Sequence, residues 1–125
     1  MILEDVEFQA TIPATDLARA RRFYEETMGF TPERVTEAGV IYRFAHGTTF
    51  FLYPSQTAGA GHTVGGWNVN DLGAVVKEIR DLGIDFLEYD LPGLKTVDGI
   101  ADLGSEFAAW FKDSEGNILA VGQFK

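Results

Sequence analysis

The sequence contains no cysteine, few basic residues and no apolar run approaching the thickness of a bilayer. Without cysteine the chain cannot form a disulfide, a thiolate metal site or a cysteine nucleophile. Lys and Arg number 10 against 19 Asp and Glu, which gives a formal net charge of −9. Nucleic-acid binding needs a basic face, and a membrane span needs about 20 apolar residues. We therefore expect neither nucleic acid nor a membrane as a partner.

The segment Met1–Asp5 lacks the basic and apolar regions of a secretory signal, so we expect a cytoplasmic protein. The length of 125 residues, with 46% hydrophobic and 23% charged residues, is typical of one globular domain. The sequence thus predicts a single domain over residues 1–125.

The first half of the chain predicts a strand, a capped helix, a terminating glycine and three more strands. Thr15-Asp16 offers the side-chain oxygens of a helix N-cap, and apolar residues recur at helical spacing up to Met28. Gly29 ends this helix, as glycine often does. His46-Gly47 predicts a tight turn between the last two strands. The predicted strands cover residues 6–14, 31–36, 40–45 and 48–53.

The second half repeats this order after a linker rich in small residues at 54–63. Asn70-Asp71 predicts the helix cap, and Gly83 the helix end. The cap and the glycine both lie 54 positions after their counterparts in the first half. Further strands are predicted over residues 64–69, 85–89, 107–112 and 118–123.

The repeat predicts an α+β fold of two tandem βαβββ units, covering residues of about 6–54 and 63–124. Each unit buries one sheet face under its own helix and leaves the other face free. Two such units would form a cupped mixed sheet with a built-in cleft.

Residues 90–105 have no counterpart of this length in the first half. Apolar residues recur there at every third position, which fits neither a regular helix nor a strand. Long connections of this kind are often functional, so one interpretation is a flap over the cleft. The other is a loop that packs on the edge of its own sheet.

Two segments resemble the vicinal oxygen chelate superfamily, which includes glyoxalase I, bleomycin-resistance proteins and extradiol dioxygenases. The first is Ile12–Tyr24 with the following Met28-Gly29-Phe30, and the second is the closing run Ala109–Leu119. The resemblance implies the glyoxalase/bleomycin-resistance-like fold. It also implies a homodimer, since members commonly pair so that their halves share a cavity.

Members with metal chemistry carry His, Glu or Gln at four cavity-facing positions, one on the first and last strand of each unit. The resemblance aligns these positions with Gln9, with or beside Phe51, near Val64, and with Ala120. Only Gln9 offers a ligand atom, whereas a catalytic divalent ion needs about three protein ligands. The alignment therefore predicts no metal and no other cofactor.

The candidate ligand-binding residues are mostly aromatic. Phe51 and Tyr53 share one face of their strand, and Phe51 stands at a former ligand position. The faces of the two tryptophans stay open at this point. His62 is the candidate acid–base residue because imidazole titrates near neutral pH, although a loop histidine is the simpler interpretation. The candidate set is Gln9, Phe51, Tyr53, His62, Trp67 and Trp110.

Two functions follow from these observations. The first is binding or sequestration of a small, largely apolar organic molecule, as in bleomycin-resistance proteins, for which the acidic charge would mildly favour a cationic ligand. The alternative is a glyoxalase-like lyase or isomerase, or a dioxygenase-like enzyme. It would use a metal site rebuilt from Gln9, His62 and a carboxylate of residues 90–105, or a metal-free acid–base site.

Overall fold

The computed structural model describes residues 1–125 and consists of two β-sheets and two helices. No helix in it is long and apolar enough to cross a membrane. The helices are α1 Leu17–Arg22 and α2 Leu72–Asp81. The strands are β1 Ala10–Ala14, β2 Pro32–Val35, β3 Val40–Arg43, β4 Thr49–Pro54, β5 Thr63–Asn68, β6 Asp90–Leu91, β7 Leu94–Val97, β8 Ile100–Asp102, β9 Glu106–Lys112 and β10 Ile118–Phe124.

Each half of the chain forms its own sheet. The first has the strand order β1-β4-β3-β2, and the second has the order β5-β10-β9-β8-β7-β6. In both sheets the first strand pairs in parallel with the last strand of the same half, and the other pairings are antiparallel. The edge strands β1 and β5 lie against each other. This arrangement is the predicted α+β fold of two βαβββ units.

Both helices begin at an aspartate whose carboxylate accepts a backbone N–H of the first turn. Asp16 Oδ1 lies 3.0 Å from the nitrogen of Arg19, and Asp71 Oδ1 lies 3.1 Å from that of Ala74. Such caps satisfy donors that have no partner within the helix. Of the predicted pair Asn70-Asp71, the second residue is therefore the cap.

The first helix changes its winding after Arg22. Residues Phe23–Thr27 form a π-helical turn, and the N–H of Met28 donates to the carbonyl of Phe23, five residues earlier. The helix predicted up to Gly29 is thus an α-helix of six residues followed by a wider turn. Tyr24 on this turn is fully buried and contacts Phe50 of β4 edge-on.

Two predicted strands are shorter than expected. The first begins at Ala10 instead of residue 6, and Ile2–Asp5 before it form a 3₁₀ turn with no buried residue. The strand predicted at 85–89 is reduced to a single bridge between Phe86 and Phe111. The hydrophobic alternation there reflects Phe86 packing on the core, without a ladder of hydrogen bonds.

Residues 90–105 are not a flap, and the flap interpretation is wrong. They form β6, β7 and β8, which extend the second sheet beyond β9. Turns at Gly93 and Gly99 separate these strands, and both glycines have positive φ, 78° and 79°. The apolar spacing of three arises because short strands alternate with tight turns.

The turn Asp113–Asn117 between β9 and β10 connects the second unit to the first through buried hydrogen bonds. Asp113 accepts from the Tyr24 hydroxyl at 2.6 Å and from the backbone nitrogens of Glu115 and Asn117. The Asn117 amide donates to the Pro13 carbonyl at 2.7 Å. Every buried side-chain polar atom has a partner, as a stable core requires.

Candidate functional site

The sheet faces turned away from the helices are here called the open face. In β4 the alternation of strand side chains separates the two faces. Phe50 and Leu52 are buried in the core, whereas Phe51 and Tyr53 are half-buried on the opposite face. In the second sheet the same alternation directs Trp110 and Ala120, which are register partners, away from the buried Phe111, Leu119 and Val121.

Phe51 and Tyr53 form a stacked aromatic pair on the open face. Their ring centroids are 6.1 Å apart and the planes are nearly parallel, at 7°. Thr11 of β1 and Ile41 of β3 are the register neighbours of Phe51, so its surroundings are small or apolar. Because both rings are only half-buried, each keeps surface that a planar or apolar molecule can cover.

Trp110 is the large aromatic side chain that the second sheet contributes to the open face. It is half-buried and meets Tyr89 edge-to-face, with ring centroids 5.5 Å apart and an angle of 87°. Its strand partner on β10 is Ala120, whose partner on β5 is Gly66. The small side chains beside Trp110 leave its indole accessible across the sheet.

Trp67 lies on the other side of the sheet. Its indole stacks on Phe111 at 6.3 Å and contacts Phe30 and Phe44 at 6.0 and 5.7 Å. These neighbours belong to the helix-covered side, where Trp67 packs against the core while staying partly exposed. The two tryptophans therefore lie on opposite faces of the molecule. The sequence did not determine the face of either residue.

Gln9 and His62 are both exposed, and each side chain makes one hydrogen bond within the protein. The Gln9 amide donates to the Thr49 hydroxyl at 3.1 Å, which ties it to the start of β4. His62 Nδ1 lies 3.3 Å from the carbonyl of Thr63, at the beginning of β5. Neither side chain makes a hydrogen bond to the other or to an acidic residue.

The side chains at the four positions of the family's metal site do not fit a divalent ion. Besides Gln9 they are Phe51, Val64 and Ala120, none of which has an oxygen or nitrogen donor. No group of three or more His, Cys, Asp or Glu side chains is close enough to hold an ion. Divalent ions in proteins are bound by such donors, so the residues at these four positions do not fit a metal ion.

The sequence did not predict two recesses outside the open face. One is a shallow groove of about 500 Å³ along β6–β8, lined by Leu91, Leu94 and Val97 among others. The other is an apolar cavity of about 280 Å³ between α2 and the aromatic rings around Trp67. Leu82 at the end of α2 lines this cavity and stays 43% exposed, which no sequence pattern indicated.

The fold and the open face define a class of protein: a duplicated βαβββ domain whose free sheet face carries apolar side chains, Phe51 among them, at three of the four positions where metal-dependent members carry ligands. A family model described as the Glyoxalase/Bleomycin resistance protein/Dioxygenase superfamily matches residues 8–121. The chain belongs to this superfamily, which confirms the family and fold that the sequence motifs indicated. No curated protein matches the sequence.

Solved structures with the same fold cover nearly the whole chain at low identity. A glyoxalase/bleomycin resistance protein/dioxygenase from Alicyclobacillus acidocaldarius is 19% identical over 96% of this chain and 92% of its own, with a TM-score of 0.69. A glyoxalase/bleomycin resistance protein from Catenulispora acidiphila is 17% identical over 96% and 99%, with a TM-score of 0.67. TnmS3, an antibiotic-binding protein from Streptomyces sp. CB03234, is 17% identical over 96% and 98%, with a TM-score of 0.63.

Proposed function

We propose that this protein binds or sequesters a small, largely apolar organic molecule on its open face and that no metal takes part in binding. One observation carries the proposal. Where metal-dependent members present ligands, this chain presents Phe51, Val64 and Ala120, and Phe51 belongs to a stacked, half-exposed aromatic pair. Small-molecule sites are usually lined by apolar and aromatic side chains with a few polar groups.

The surroundings of the pair favour a flat, weakly polar ligand. Tyr53 extends the aromatic surface of Phe51, and Trp110 supplies an indole on the other sheet. Aromatic rings stack on such surfaces with about 0.5–1.5 kcal/mol beyond the area they bury. The net charge of −9 adds a mild preference for a cationic ligand. TnmS3, which is similar in fold, is described as antibiotic-binding.

The experiment uses Trp110 as the reporter for the open face. In a Trp67→Phe variant, Trp110 is the single tryptophan, since the chain has two. Titration with bleomycin and with the neutral apolar dye Nile red, each with and without EDTA, should give a saturable fluorescence change that EDTA leaves unaltered. Phe51→Ala in the same background should weaken binding about tenfold, because it removes the central ring.

The matched control is Phe124→Ala, which removes an exposed ring at the end of β10 and should leave the affinity unchanged. Absence of saturable binding of both probes, or affinity that EDTA abolishes, would contradict the proposal. The enzyme alternative with a rebuilt metal site receives no support from the donor arrangement, because the exposed His62 belongs to no group of three or more His, Cys, Asp or Glu side chains.

We also propose that the protein forms a homodimer. The support is the segment Met1–Phe8, which exposes large apolar side chains on the single chain. Phe8 is 90% exposed and Ile2 80%, and Leu3 and Val6 are also largely exposed. Side chains of this kind on one short segment indicate a surface that another polypeptide covers. A second copy is the occupant that the superfamily's usual pairing favours.

A further inference from the structure

The apolar cavity of about 280 Å³ lies on the helix-covered side, between the two units. One wall consists of the rings of Phe30, Phe44 and Trp67, which contact one another at centroid distances of 5.2–6.0 Å. The facing wall is the apolar stripe of α2, formed by Val75, Ile79 and Leu82. The open face and this cavity are on opposite sides of the sheets, so the cavity is separate from the proposed binding surface.

The cavity has a single charged side chain, the carboxylate of Glu78 on α2. No cation neutralises it. The basic side chains of the same helix are engaged elsewhere, since Lys77 pairs with Asp81 at 2.9 Å and Arg80 donates to the Asp98 carbonyl at 2.7 Å. Asn68 is the other polar residue of the lining.

We propose that this cavity is a second binding site, for a small aromatic amine in its protonated form. The aromatic wall and the α2 stripe would enclose the ring of the ligand, and Glu78 would pair with its ammonium group. Tryptophan and phenylalanine rings attract a nearby cation through their negative faces. An anionic ligand of the same size would be repelled by the unpaired carboxylate.

The size of the cavity restricts the ligand to about one or two rings. Sites for drug-sized molecules usually measure about 300–1,000 Å³, and this cavity lies just below that range. A ligand of this size makes few contacts, so binding should be weak, in the range of tenths of a millimolar to millimolar.

The test uses Trp67 as the reporter for the cavity. In a Trp110→Phe variant, Trp67 is the single tryptophan and forms part of the cavity wall. Three probes share a phenyl ring and differ in charge: 2-phenylethylamine, 2-phenylethanol and phenylacetate. We expect a saturable change of Trp67 fluorescence with the amine, weaker binding of the alcohol, and no binding of the carboxylate.

Glu78→Gln should lower the affinity for 2-phenylethylamine about fivefold, to that of the alcohol, and leave the affinity for the alcohol unchanged. The matched control is Glu37→Gln, which removes the same charge from an exposed residue between β2 and β3 and should change neither. Both residues are exposed, so both variants should fold.

The proposal would be overturned if 2-phenylethylamine caused no change in Trp67 fluorescence or if the three probes bound with equal affinity. It would also be overturned if Glu78→Gln and Glu37→Gln changed the affinity for 2-phenylethylamine equally. A response of Trp110 in the Trp67→Phe variant, without one of Trp67, would place amine binding on the open face alone. That outcome rejects the second site and leaves the function proposed for the open face intact.

Discussion

The ionised carboxylate of Glu115 stabilises the fold through its hydrogen bonds and its pairing with Arg19. Its carboxylate is fully buried and accepts from the Arg19 guanidinium at 2.8 and 3.0 Å, from the Asp16 backbone nitrogen at 2.7 Å, and from the Ser114 hydroxyl. Burial alone would raise the pKa of this carboxyl. The hydrogen bonds and the Arg19 charge outweigh burial and lower its pKa to about 2.

The sign of this shift predicts an acid-sensitive fold. The folded pKa lies below the value of about 4.3 usual for an unfolded chain, so the carboxylate stabilises the protein at neutral pH. Its contribution, about 2 kcal/mol, should be lost as the pH falls from about 5 toward 2. Glu115→Gln should lower the free energy of unfolding by about 2 kcal/mol at pH 7, measured by urea denaturation, and the difference from wild type should shrink below pH 4.

The control for this prediction is Glu33→Gln. Glu33 pairs with Arg43, and both side chains are more than two-fifths exposed. Exposed pairs contribute little, so this variant should unfold within about 0.5 kcal/mol of wild type at every pH. A constant difference between wild type and Glu115→Gln from pH 7 to 2 would show that the carboxylate charge is not the cause.

The sequence predicted which sheet face some aromatic side chains occupy and left the face of others undetermined. The strand period predicted that Phe51 and Tyr53 share a face, and the structure has them stacked on that face. The period could not assign a face to either tryptophan. Trp67 follows two glycines, so β5 offers no alternation to interpret, and Trp110 follows a run of small residues. Contacts with Phe111 and Tyr89 decide their orientation.

Strands β6–β8 belong to the second sheet although the apolar residues of this segment recur at every third position. Thr96 of β7 is buried, and its hydroxyl donates to Glu88 at 2.7 Å while accepting the Tyr89 N–H at 2.8 Å. Arg80 of α2 holds the turn before β8 through the Asp98 carbonyl. These contacts attach the segment to the second unit, which is the physical reason that it does not act as a flap.

The two turn glycines of this segment, Gly93 and Gly99, differ in the space around them. A Cβ on Gly99 would stand 2.9 Å from the Cβ of Phe86 and 3.1 Å from the Arg80 guanidinium, whereas a Cβ on Gly93 would meet nothing within 4 Å. Both residues have nearly the same positive φ. Gly93→Ala should therefore cost about 1 kcal/mol for the backbone alone, and Gly99→Ala at least 1 kcal/mol more. Thermal and urea unfolding measure both; equal losses would show that the contact with Phe86 is irrelevant.

For the whole molecule, the two units are joined mainly through side chains. Apart from the contact of β1 with β5, the connection runs through the Asp113–Asn117 turn, which reaches Pro13, Asp16 and Arg19 of the first unit. The aromatic cluster around Phe30 and Trp67 joins the units on the helix side. One cooperative unfolding transition is the consequence, because neither unit can keep its buried polar groups satisfied alone.

The mass of the protein in solution tests the proposed homodimer. Light scattering should give twice the chain mass of 13.8 kDa, and a Leu3→Glu/Phe8→Glu double variant should give the monomer mass. Placing charges on apolar side chains that a partner covers opposes association. Leu91→Glu, at an exposed leucine of β6, is the control and should stay dimeric. A monomeric wild type at 100 μM, or a dimeric double variant, would contradict the proposal.

The sequence by itself determined the repeat, the two capped helices, most of the strands and the lack of donors at three of four ligand positions. These features depend on local periodicity, capping chemistry and residue type, which are properties of neighbouring residues. Only the tertiary structure decided which face each tryptophan occupies, that residues 90–105 extend a sheet, and that a cavity separates α2 from the Phe30–Trp67 cluster. These depend on contacts between residues far apart in the chain, which local patterns do not encode. The absence of cysteine excluded thiolate sites, and the shortage of basic residues argued against nucleic acid as a partner. The aromatic residues on the two faces are the basis for the ligands proposed for this protein.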